Sequence, residues 1–147
     1  MKESIAQFFD DYAKRFNEAL KGSEPDVEKT IASFATFFLE SNPNKIILTK
    51  NDETFKASIP QGFAYYRSIG LQNMKICSKA ITILDDYHAL VKIHWQSLYI
   101  KKEGNKAELG FDTHYMIRFI DDAVKIFCYV SGDEQQFMEQ NGLVPYQ

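Results

Sequence analysis

Cysteine is nearly absent from the 147-residue chain, which has only Cys77 and Cys128. Each stands alone in an apolar stretch, which excludes a CxxC zinc or redox motif and a secreted disulfide framework. Reduced thiols in a cytoplasmic setting are the expectation. A basic surplus is missing too: 17 Lys and Arg against 20 Asp and Glu leave a formal net charge of -3. That lacks the electrostatic footprint of phosphate-backbone binding, so nucleic acid is not an expected partner. Long apolar runs are also wanting. The segment after Met1-Lys2-Glu3-Ser4 is broken by Asp10 and Asp11, which fits neither a leader peptide nor a membrane span. No Walker loop, GxGxxG, HExxH or GxSxG occurs, so nucleotide, zinc-protease and hydrolase chemistry have no local support, and neither metal nor cofactor is expected. What is plentiful is core material, with 45% hydrophobic and 14% aromatic residues. That suffices for one domain, read as residues 1–140 with a tail over 141–147.

Ile5, Phe8, Phe9, Tyr12, Phe16, Ala19 and Leu20 recur at three- and four-residue steps and predict a first helix, with Ser4 and Gln7 as a capping box and Gly22 as its stop. A second helix is expected after Ser23-Glu24-Pro25-Asp26, with Val27, Ile31, Phe34, Ala35 and Phe38 buried and an end at Ser41-Asn42-Pro43. Lys45 to Thr49 reads as a short strand. Phe55, Ile59, Phe63, Tyr66 and Ile69 outline a third helix, bent or split at Pro60 and Gly62. Beyond Asn73 the pattern changes to β-branched and aromatic runs parted by Asp85-Asp86, Gly104-Asn105 and Asp121-Asp122. Four long antiparallel strands follow: Met74–Leu84, His88–Lys101, Ala107–Ile120 and Val124–Ser131. A short helix over 133–140 closes the chain.

Counting in twos divides each strand into faces. Ala89, Val91, Ile93, Trp95, Ser97 and Tyr99 share a helix-facing side with Phe111, Thr113, Tyr115, Ile117 and Phe119, and with Ile126 and Cys128. The other side carries His94, Gln96, His114, Met116, Arg118, Phe127 and Tyr129. That mixture of aromatics, Met and Arg is interface-like, and a homodimer through this face is expected. The three helices cover the first face, which gives an α+β layered domain. Both cysteines read as small core residues.

The stretches Phe63-Ala64-Tyr65-Tyr66-Arg67-Ser68-Ile69-Gly70, Ala89-Leu90-Val91-Lys92-Ile93-His94-Trp95 and Tyr115-Met116-Ile117-Arg118-Phe119-Ile120-Asp121-Asp122, in that order, resemble the NTF2-like superfamily. This is the cystatin-like cone fold that also houses ketosteroid isomerases and SnoaL-like polyketide cyclases. The resemblance implies three N-terminal helices packed on a strongly curved antiparallel sheet, a pocket between them, and dimerisation through the outer sheet face. It also implies where acid–base residues of such enzymes sit. The isomerase-type position, on the strand after the second helix, falls in Asn44-Lys45-Ile46-Ile47-Leu48-Thr49, which has no carboxylate. The cyclase-type position, three residues before Arg118, is Tyr115. Tyr12 matches the isomerases' oxyanion-hole tyrosine.

These readings predict a cone that binds a small apolar or aromatic molecule. The first helix offers Phe9, Tyr12 and Phe16 to it, the second Phe34 and Phe38, and the third Phe63 and Tyr66. The strands offer Trp95, Tyr99, Phe111, Thr113, Tyr115 and Cys128. The alternative is an isomerase, dehydratase or cyclase in which a one-residue register slip turns His94, Asp112 and His114 into the pocket beside Tyr12. A second alternative is a protein interaction module whose own aromatics fill the cone.

Overall fold

The computed structural model describes residues 1–22 and 24–143. Helix α1 (Lys2–Leu20) buries Ile5, Phe9, Ala13, Ala19 and Leu20. It starts at Met1 with no side-chain cap, because Gln7 donates to Asp11 instead of closing a box with Ser4. Gly22, at φ 92°, takes the left-handed turn that ends it. Ser23, expected to cap the next helix, lies outside the described residues; Asp26 caps α2, accepting from the Lys29 N–H at 3.1 Å.

The second helix is much shorter than its apolar spacing predicts. α2 covers only Val27–Ala32, and Phe34–Ser41 is a strand, β1. Phe34 and Phe38 are four apart, a step that keeps one face in a helix and in a strand alike. Tertiary pairing decides between them: β1 runs parallel to β6 (Ala123–Val130) and antiparallel to β2 (Ile46–Lys50). Helix α3 (Glu53–Ser68) passes through Pro60 and Gly62 without a break. Pro60 is exposed, so water can serve the carbonyl whose partner it removes.

Strands β3 (Leu71–Ile83), β4 (His88–Ile100) and β5 (Lys106–Ile120) complete one six-stranded sheet in the order β2-β1-β6-β5-β4-β3. Asp121 and Asp122, both with positive φ, form the two-residue turn joining β5 to β6. α4 (Glu134–Gln140) follows β6, capped by Asp133 through the Gln136 N–H. The main core joins Ile5 and Phe9 of α1 to Val91, Ile93, Ile117 and Ile126 of the sheet, all fully buried.

Among the register shifts of the sheet, two bear on the cysteines and the site. On β6 the register passes from Ile117↔Ile126 to Met116↔Cys128, skipping Phe127. On β3 it skips Cys77, between Ile76↔Trp95 and Ser78↔His94. An extra residue inverts the parity beyond it. Cys128 therefore joins the outer face and Tyr129 the inner one, the reverse of the uninterrupted count. Neither cysteine is a core residue: Cys77 is exposed and Cys128 partly so.

Candidate functional site

The inner face of the sheet and α1, α3 and α4 enclose a cavity of about 280 Å³. Its geometry follows from cross-strand rows. One inner row runs Ile47, Glu40, Tyr129, Tyr115, Val91, Ile81 through successive paired neighbours. Glu40, Tyr129 and Tyr115 of that row line the cavity, and Trp95, Tyr99, Phe111 and Thr113 extend the lining along β4 and β5. From the helix side come Tyr12, Phe16 and Tyr66, and the β6–α4 segment closes the mouth with Asp133, Glu134 and Phe137.

Most residues expected at the pocket on α1, β4 and β5 do line it. Phe9, Phe38 and Phe63 do not: Phe9 and Phe38 are buried in the core behind the wall, and Phe63 packs on Phe16 with ring centroids 5.0 Å apart. Cys128 is displaced by the bulge, which brings Tyr129 in its place. The histidines stay out. His94 and Asp112 are cross-strand partners on the outer face, with Nδ1 2.8 Å from the carboxylate, and His114 lies on that same face. The register that would send them inward beside Tyr12 is not the one formed. The His94 hydrogen bond, with help from Lys92, holds the Asp112 carboxyl below its usual range. Nor do the aromatic side chains close the cone on themselves, since ten of them line the space and still leave the cavity.

Sequence reasoning missed the carboxylates. Glu40 was hidden because 34–41 reads as helix; counted as a strand, Phe34, Phe38 and Glu40 share the inward parity. Glu134 and Asp133 reach the cavity only because α4 folds over its mouth. Asp133 is committed to its cap, whereas Glu134 has no hydrogen-bond or ion-pair partner among the described residues. Crowding by protein raises the Glu134 carboxyl's pKa, and the Glu40 charge adds to the rise.

The tyrosines respond to the same setting. Burial raises Tyr129, followed by the charge of Glu40 beside it. Burial also raises Tyr66, which feels both Glu134 and Glu40. Tyr12 is raised by burial and eased by Arg15. Among the described residues, no cluster of three or more His, Cys, Asp or Glu is placed to hold a metal ion. No helix there is long and apolar enough to cross a membrane.

Comparison with known proteins agrees with this architecture. The family model described as NTF2-like protein (DUF6841) matches residues 2–134. No curated protein matches the chain. Among solved structures, an NTF-2 like protein of unknown function from Shewanella oneidensis MR-1 is 20% identical, with a TM-score of 0.62 over 90% of this chain and 98% of that one. A ketosteroid isomerase-like protein from Erwinia carotovora atroseptica SCRI1043 is 13% identical, with a TM-score of 0.63 over 88% and 93%. An NTF2-like protein with a cystatin-like fold from Novosphingobium aromaticivorans is 9% identical, with a TM-score of 0.67 over 99% and 89%. At such identities these likenesses speak for the fold alone. With the family model spanning all of α1 through the start of α4, the six-stranded sheet included, the chain belongs to the NTF2-like family DUF6841.

Proposed function

We propose that the cone binds a small, largely apolar or aromatic molecule. One observation carries this reading: a cavity of about 280 Å³, lined mainly by aromatic side chains with a few convergent polar groups. It is just below the about 300–1,000 Å³ usual for small-molecule sites, which suits a ligand of one or two rings. A thermal-shift series of monocyclic and bicyclic phenols, indoles and apolar carboxylic acids tests it. Saturating a true ligand at about a hundred times its Kd adds about 2.7 kcal/mol of stability, and Met74→Trp, which fills the cavity wall, should cancel the shift. Absence of any shift across the series would overturn the reading.

A second reading is favoured by the Glu40 carboxylate, which lines an aromatic cavity together with Tyr12, whose hydroxyl has no hydrogen-bond partner among the described residues. A carboxylate base facing a phenolic donor can move a proton from the carbon next to a carbonyl, while the phenol stabilises the enolate oxygen. The role first considered for the histidines passes to Glu40. NMR-detected deuterium uptake at the α-carbon of 2-tetralone in D2O checks it: the native protein should accelerate uptake and Glu40→Gln should lose about 10²–10⁴ of the rate. Equal uptake with and without protein eliminates turnover of this kind and leaves a binder.

The outer sheet face is proposed to pair with a second copy of the chain. Leu48, Leu39, Cys128, Met116 and Leu90 form one outer cross-strand row. Phe37, Ile46 and Val130 add further exposed apolar surface. Asp112, Lys92 and Arg118 supply both signs of charge beside it, as a self-complementary contact requires.

A further inference from the structure

The charge content of the cavity bears on what its ligand must carry. Glu40, Asp133 and Glu134 line it, and no Lys, Arg or His among the described residues does. Arg15 stands near the Tyr12 ring, 6.0 Å from its centroid, but lines a separate small hollow and donates to the Ser33 hydroxyl at 2.8 Å. Asp133 is used by its cap, and neither Glu40 nor Glu134 has a cationic partner among the described residues. Glu134 is exposed and Glu40 half-buried, so water solvates both in the free protein, and a cationic ligand would meet two carboxylates with no protein cation competing for them.

Two features of the lining suit an organic ligand at these carboxylates. Tyr12 and Tyr66 are half-buried and line the cavity, and neither hydroxyl has a hydrogen-bond partner among the described residues, which leaves both open to an occupant. The acids are also too dispersed to make a metal cluster, and what surrounds them is aromatic: Tyr66 lies close enough to feel both charges, Tyr129 that of Glu40 and Tyr99 that of Glu134. Ring faces and carboxylates together recognise an ammonium group, through its attraction to the ring quadrupole and its charge-assisted hydrogen bonds.

We propose that the ligand of the cone is an aromatic or apolar amine, its ammonium group held between Glu40 and Glu134 at the mouth and its body against the aromatic wall. This rests on the small-molecule reading above and adds the sign of the ligand's charge. Tryptamine, tryptophol and indole-3-acetate, which share one indole body and differ mainly in charge, test it by calorimetric titration at neutral pH. Tryptamine should bind about tenfold more tightly than tryptophol, and indole-3-acetate most weakly of the three. In Glu40→Gln/Glu134→Gln the tryptamine advantage should vanish while tryptophol binding persists, which also reports that the variant is folded; Glu134→Gln alone should lose part of it. Tryptophol binding as tightly as tryptamine, or an advantage that survives the double substitution, overturns the amine assignment and leaves the pocket reading standing. Failure of all three to bind defeats both.

Discussion

Phe9→Ala is expected to lower the unfolding free energy by about 3–5 kcal/mol, the cost of deleting a buried aromatic ring and leaving a cavity. Phe9 is fully buried. Its ring centroid is 4.9 Å from that of Tyr115 on β5 and 5.1 Å from that of Phe8. It therefore couples α1 to the middle of the sheet and backs a tyrosine of the cavity wall. Against a total stability of about 5–15 kcal/mol for a domain of ordinary size, this loss leaves a marginal fold. Urea unfolding followed by Trp95 fluorescence is the measurement, with a lower midpoint and an unchanged slope expected. Because Tyr115 can lean into the vacated space, the folded fraction should also bind cavity ligands more weakly. A loss under about 1 kcal/mol would mean that α1 is not seated on the sheet by this ring.

The same contacts explain which parts of the fold are legible in the sequence. Strand β4 is the clearest: Ala89, Val91, Ile93, Trp95, Ser97 and Tyr99 are buried in strict alternation, and such alternation has a period of two and nothing else. The β5–β6 turn is nearly as plain, because Asp121-Asp122 suits the positive-φ turn that a tight hairpin needs. Residues 34–41 are ambiguous by arithmetic, as Phe34 and Phe38 satisfy helix and strand together, and only partners remote in sequence settle the matter. The site inherits that ambiguity. Glu40 enters the cavity because β1 is a strand. Tyr129 replaces Cys128 because of one skipped residue at Phe127, which no local composition announces. Glu134 depends on how α4 folds over the mouth, a tertiary fact with no periodic trace. Wherever alternation ran unbroken the sequence carried the wall, and wherever a bulge or a fold-back intervened it carried the residue types without their side.

Leu39→Glu/Leu48→Glu is expected to convert a dimer into a monomer. The two leucines are cross-strand partners on the outer face, 40% and 66% exposed, beside Phe37 at 56% and Ile46 at 70%. So much apolar surface on one edge of a sheet exceeds what scattered exposure accounts for. A two-fold contact covering it would place each introduced carboxylate near its own symmetry mate, and the repulsion and desolvation would be counted on both sides. The dimer dissociation constant should rise by at least about a hundredfold, roughly 2.7 kcal/mol. The protomer should lose little stability, because neither side chain belongs to the buried core. Sedimentation velocity at micromolar concentration is decisive: the native chain should travel at twice the protomer mass of 17.0 kDa, and the variant at the protomer mass with an unchanged circular dichroism spectrum. A native chain already monomeric there would remove the dimer, and the apolar strip on β1 and β2 would need another partner. Because the outer row and the inner row are built from the same strands in alternation, tryptophol binding in the cone should be the same in this variant as in the native chain. Loss of binding on monomerisation would show instead that the partner helps to shape the cavity.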